Sequence, residues 1–115
     1  MSLILIVEDN ENNLELLRDV LQFKGYQTIE ATTGTDGVRL ARERKPDLVL
    51  MDIQLGDISG ITALAQIRAD PATANMPVVA VSASVMPDEQ QKIAASGFDE
   101  FVPKPINITS FVRLV

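Results

Sequence analysis

The segment LILIVEDN, residues 3–10, sets five branched aliphatic residues in a row and then stops at two carboxylates. A strand that is apolar at every position must be covered on both faces, and the interior of a parallel sheet provides that cover. Leu48 to Met51 and Val78 to Val81 read the same way, while Tyr26 to Ala31 and Phe98 to Val102 are also short, branched and bounded by polar or turn residues. Five strands are therefore expected. Between them, Leu14, Leu17, Val20 and Leu21 recur at helical spacing, with Gly25 following as a stop. Val38 and Ala41 mark a second helix after Thr33-Gly34, and Ile61, Leu64 and Ile67 a third after the cap candidate Ser59. Ile93 and Ala94 mark a fourth that stops at Gly97, and Ile108, Phe111, Val112 and Val115 a fifth capped by Asn107. Strand and helix alternate five times at even spacing, which predicts a three-layer α/β sandwich forming one domain over residues 1–115. The fifth stripe breaks off at Val115, which reads as a cut chain or a missing tail.

Composition removes whole classes of function. The 115 residues include no histidine and no cysteine, so a histidine phosphodonor, a Ser/His/Asp or Cys/His hydrolase and a Cys/His zinc site are all excluded. Ten basic against sixteen acidic residues give a formal charge of -6. Such a surface repels nucleic acid and anionic lipid, so the expected partners are proteins and cations. The apolar run at the start ends after five residues without a preceding basic region, which is neither a signal peptide nor a membrane span. The cytoplasm is the expected compartment.

In an open parallel sheet, ligands bind beyond the carboxyl ends of the strands, so the residues after each strand carry the functional information. Strand one ends in Glu8-Asp9, strand three in Asp52 and strand four in Ser82, and strand five is followed after Pro103 by Lys104-Pro105. Strand two has no charged group beyond Glu30, as expected of an edge position away from the site. Three carboxylates, a hydroxyl and an ammonium would then share one rim. Crowded carboxylates repel unless a cation sits among them, and oxygen ligands without His or Cys suit Mg²⁺.

Four segments, ILIVEDN (4–10), DLVLMDIQLGDISG (47–60), MPVVAVSAS (76–84) and FVPKPI (101–106), stand in an order and spacing that resemble the receiver domains of bacterial two-component response regulators. The wording of IVEDN and MDIQL is most similar to stand-alone receivers of the DivK kind and to receivers of hybrid kinases. The resemblance implies a flavodoxin-like, doubly wound five-stranded sheet of order 2-1-3-4-5. It implies a phosphorelay switch without an output domain in this chain, charged by a histidine kinase or histidine phosphotransferase and read by a downstream protein. It makes Asp52 the phosphoacceptor and gives Mg²⁺ to Asp9 directly, to Glu8 through water, to Asp52, and to the backbone carbonyl of Gln54. Lys104 and the Ser82 hydroxyl would meet phosphoryl oxygens, Gln54 and Ser84 would tune the lifetime of the acyl phosphate, and Ser82 and Phe101 would switch. The same resemblance, together with the need for Lys104 to turn back over the site, predicts a cis bond at Pro105.

Taken singly, each of these residues has a plainer reading: Asp52 or Glu8-Asp9-Asn10 as helix caps, Ser82 as a satisfied hydroxyl, Lys104 as a solvated charge, Phe101 as core. Their convergence favours the site. The chain also departs from the family's pattern, with Ser82 where Thr is usual, Gly56 where Pro follows the acceptor, and Phe101 where Tyr is frequent. Two rival readings are weaker. An aspartyl phosphatase of the haloacid dehalogenase kind needs a second Asp two residues after the first, where Gln54 stands, and a flavodoxin-like cofactor site needs a hydroxyl- and glycine-rich loop where EDNENN stands.

Overall fold

All five expected strands are present in the computed structural model, which describes residues 3–82 and 87–103. The elements run β1 (Leu3–Val7), α1 (Glu11–Phe23), β2 (Gln27–Ala31), α2 (Gly34–Arg44), β3 (Leu48–Asp52), α3 (Gly60–Ala69), β4 (Val78–Ser82), α4 (Pro87–Ala95) and β5 (Glu100–Pro103). Every pairing is parallel, and the strand order is β2-β1-β3-β4-β5. The doubly wound order expected from the resemblance is therefore the observed one.

Continuous apolar strands are covered on both faces, as the physics of a parallel sheet requires. Leu5, Val7, Val49, Met51 and Val78 pack with Val38 and Ala41 of α2 and Ala63, Leu64 and Ile67 of α3. The alternate positions Ile4, Ile6, Leu50, Val79, Val81 and Val102 pack with Leu14, Leu17 and Leu21 of α1. At about 1.5–3 kcal/mol for each buried aliphatic side chain, the three leucines stabilise a helix of this length, which would be marginal alone. Gly25 (φ 93°) and Gly97 (φ 101°) take the left-handed turns that follow α1 and α4. Among the described residues, no helix is long and apolar enough to cross a membrane.

Some boundaries and faces differ from expectation. Tyr26 precedes β2, because its N–H is taken by Leu21 O (3.1 Å) at the end of α1. Phe98 precedes β5 by two residues, and its ring packs instead on the cluster beneath α2 and α3. Between Phe98 and the strand, Asp99 accepts from Val78 N–H (2.8 Å) and pairs with Arg68 (3.0 Å). Arg68 also donates to the carbonyls of Ala74, Met76 and Gly97, tying the end of α3 to the turns that enter β4 and β5. Ile61 is only half-buried, while Ala63 takes the buried place on α3. The expected fifth helix at 107–115 lies outside the described residues.

Candidate functional site

Parallel strands end at the same rim, and register decides which ends are neighbours. Val7 is level with Met51, so Glu8 comes beside Asp52, and Asp52 in turn is level with Val81, so Ser82 stands one residue beyond it. One carboxylate oxygen each from Glu8, Asp9 and Asp52 can be chosen so that all lie within 4.8 Å of one another. Glu8 and Asp52 are buried and Asp9 is exposed, which gives the cluster one side open to solvent. Three hard, anionic oxygen donors at this separation, with one face accessible, fit a divalent cation such as Mg²⁺.

The backbone fixes these side chains. Glu8 N–H continues the β1–β2 ladder onto Ala31 O (3.0 Å), while Glu8 Oε1 accepts from Asn10 N–H (3.2 Å). Asn10, not Glu8 or Asp9, is the cap of α1, accepting from Asn13 N–H through Oδ1 (3.1 Å). The capping and metal readings of Glu8-Asp9-Asn10 thus separate onto different residues. Asp52 Oδ1 accepts from Gln54 N–H (3.1 Å), which draws the start of the following loop against the carboxylate. That loop leaves by Ile53 N–H to Val81 O (3.1 Å) and closes by Gly60 N–H to Ile53 O (2.9 Å) before Ser59 caps α3.

Ser82 is placed as the last residue of β4, opposite Pro103 of β5. Its hydroxyl lies outside what the structure describes, as do Ser84, Lys104 and Pro105. Phe101 is half-buried in the edge strand β5, level with Ala80. Strand alternation points it away from the α1 cluster that Val102 joins. Met51 is fully buried and Met76 packs at the cluster's margin, as core and rim filler should. Glu30 at the sheet edge pairs with Arg18 (3.3 Å), away from the acidic cluster.

One residue of this region escaped the sequence reading. Asp57 reaches α2 from the loop after Asp52, with Oδ1 accepting from Gly34 N–H (2.8 Å) and Oδ2 from Thr35 N–H (3.0 Å) and Thr35 Oγ1 (2.6 Å). These bonds, the Thr35 hydroxyl foremost, hold the Asp57 carboxyl well below the usual carboxylate range. Any contribution to stability is complete above the ordinary carboxylate pKa of the unfolded chain and is lost progressively as the pH falls below it toward the lowered folded-state value. The local sequence around Asp57 names no partner. Gly34 is the weak signal, a glycine at the first turn of a helix where a close neighbour would exclude a side chain.

A sequence model described as the response regulator receiver domain matches residues 4–115. The polar-differentiation response regulator DivK of Brucella anthropi is 38% identical over 112 residues, covering 97% of this chain and 91% of the relative. DivK of Brucella melitensis matches to the same extent. Among solved structures, the receiver domain of a sensor histidine kinase from Pseudomonas aeruginosa, with magnesium ion coordinated in its active site cleft, superimposes with a TM-score of 0.91. That pair is 27% identical, over 98% of this chain and 93% of the other. The chemotaxis protein CheY4 of Vibrio cholerae shares the fold at a TM-score of 0.91 and 20% identity, over 99% and 95% of the two chains.

Proposed function

Because this chain belongs to the family of response regulator receiver domains, the phosphoacceptor switches of two-component systems, we propose that Asp52 is its phosphoacceptor and that Glu8, Asp9 and Asp52 hold Mg²⁺. The observation that carries this reading is the convergence of three carboxylates at the rim, with Asp52 buried among strand ends and fixed by the Gln54 N–H. A bound Mg²⁺ would neutralise charge on the carboxylates and on an incoming phosphoryl group. A carboxylate oxygen of Asp52 would attack phosphorus, forming the O–P bond as the donor's P–N bond breaks and the histidine nitrogen keeps the electron pair. Residues 1–115 would act as one domain, catalysing only their own phosphorylation and dephosphorylation. Lys104 and the Ser82 hydroxyl would meet phosphoryl oxygens, the Gln54 carbonyl would complete the metal's protein ligands, and Gln54 and Ser84 would tune hydrolysis. Phe101 would register the change on the face of α4 and β5. The donor would be a histidine kinase or histidine phosphotransferase in the cytoplasm, and the output a protein contact.

Incubation with acetyl phosphate and Mg²⁺ should add one phosphoryl group by intact mass, labile to hydroxylamine. No gain with Mg²⁺ present, or a hydroxylamine-stable label on Ser or Thr, overturns the reading. The two acids of the pair should also differ. Glu8 is buried and already occupied with the Asn10 N–H, whereas Asp9 faces solvent. Asp9→Ala is therefore expected to weaken Mg²⁺ binding by well over about tenfold, and Glu8→Ala by about tenfold, in a calorimetric titration. Equal losses would mean that both acids ligate directly.

A further inference from the structure

The reading of Asp52 and Mg²⁺ leaves unexplained why the loop after Asp52 carries an Asp bonded to another helix. We propose that Asp57 is a positioning residue for the metal site, a latch that holds residues 53–58 on the first turn of α2 so that the Gln54 backbone stays against Asp52. This rests on the function proposed above.

At the N-terminus of α2, the first N–H groups need partners from outside the helix. Thr33 supplies its own side chain to Asp36 N–H (3.1 Å), and its carbonyl takes Gly37 N–H (3.0 Å). Two further donors of this turn, Gly34 and Thr35 N–H, are met by the two oxygens of Asp57, 23 and 22 residues away in sequence. A helix end could be capped locally, so a distant carboxylate adds something that a local cap cannot, a connection between α2 and the loop that leaves Asp52. Ile58 reinforces it. A side chain at Gly34 would begin 2.5 Å from Ile58 Cγ1, so loop and helix are in direct contact there.

Within this span Leu55 is half-buried against the core cluster beneath α2 and α3, while Gln54, Gly56 and Asp57 are exposed. Gly56 has nothing within 4 Å of the place a Cβ would occupy, and glycine adds freedom in the segment between Gln54 and Asp57. Toward Asp52, the loop is pinned by the Gln54 N–H bond to Oδ1, and on its far side by Asp57 and Ile58. With Asp57 in place, the peptide that follows Gln54 is held between two fixed points. Without it, the carbonyl of Gln54 would sample orientations that do not serve a cation among Glu8, Asp9 and Asp52.

The test compares Asp57→Ala and Asp57→Asn with Thr33→Ala, which removes the neighbouring cap from the same helix end and leaves the loop attached. In metal-free protein, hydrogen exchange at the Gln54 amide should quicken at least about tenfold in Asp57→Ala and stay near the parent rate in Thr33→Ala. Calorimetric titration should show Mg²⁺ affinity reduced about five- to tenfold by Asp57→Ala, less by Asp57→Asn, which keeps one acceptor oxygen, and not by Thr33→Ala. At saturating Mg²⁺, the rate of labelling by acetyl phosphate should return toward that of the parent. If Asp57→Ala leaves Mg²⁺ affinity and Gln54 exchange unchanged, or if Thr33→Ala alters both equally, the latch is wrong. A parent protein that binds Mg²⁺ and is labelled at Asp52, while Asp57→Ala matches it in Mg²⁺ affinity and in Gln54 exchange, overturns the latch alone. A parent that neither binds Mg²⁺ nor accepts phosphoryl overturns the underlying function.

Discussion

Asp52→Asn is expected to take up no phosphoryl group from acetyl phosphate and, measured without divalent cation, to be more stable than the parent. The first effect is chemical. An amide oxygen is uncharged and a poor nucleophile, so the O–P bond does not form even though the side chain keeps the shape and the Oδ1 that accepts from Gln54 N–H. The second effect follows from crowding. Carboxylate oxygens within 4.8 Å of one another repel by roughly 3 kcal/mol per pair at an effective dielectric of 20. Removing one charge from a cluster of which two members are buried should return about 1–2 kcal/mol, read as a rise in Tm of about 5 °C. Added Mg²⁺ should reverse the order, since binding to the folded state contributes about 2.7 kcal/mol at a hundredfold excess over Kd and Asp52→Asn has lost a ligand. Labelling of the variant would sink Asp52 as the acceptor. A variant less stable than the parent in chelator would show that the crowding argument has the wrong sign.

The core of the fold was legible because it depends on residue type alone. Leu3 to Val7, Leu48 to Met51 and Val78 to Val81 are apolar at every position, and all became interior strands. The acidic cluster was legible for a related reason: parallel strands share one rim, and the strand order implied by the family resemblance sets β1 beside β3, where Glu8, Asp9 and Asp52 meet. What stayed hidden were pairings set by three-dimensional neighbourhood. Asp57 and Asp99 look alike in the sequence, each an acid in a loop near glycine, yet one holds the first turn of α2 and the other holds Val78 N–H and Arg68. Nothing local says which donor each will find. The displaced start of β5 has the same origin, because the Asp99 contact to Val78 decides where the chain enters the sheet. Ile61 and Ala63 show the limit of periodicity, which locates a helix stripe without fixing its centre.

The largest structural penalty is expected at Gly60, the first residue of α3. A Cβ added there would lie 2.3 Å from the carbonyl oxygen of Asp52, 2.8 Å from Ile53 Cα and 3.0 Å from Asp52 C. All three are backbone atoms of the strand end that presents the candidate acceptor, so no side chain can swing aside. Gly60 N–H also bonds to Ile53 O (2.9 Å), closing the loop on itself, and any retreat of the helix lengthens that bond. Gly60→Ala should therefore cost about 3 kcal/mol or more, at or beyond the upper end of ordinary overpacking, against a total stability of roughly 5–15 kcal/mol for a small domain. The control is Gly56→Ala in the same loop, where nothing lies within 4 Å. That change should be neutral, or stabilise by up to about 1 kcal/mol by restricting the unfolded chain. Thermal unfolding in the absence of Mg²⁺ should give Gly60→Ala a Tm lower by 10 °C or more, while Gly56→Ala stays within a few degrees of the parent. Were Gly60→Ala to melt with the parent, the close approach of α3 to the Asp52 carbonyl would not constrain this loop, and the position of the carboxylate would have to be set by the strand alone.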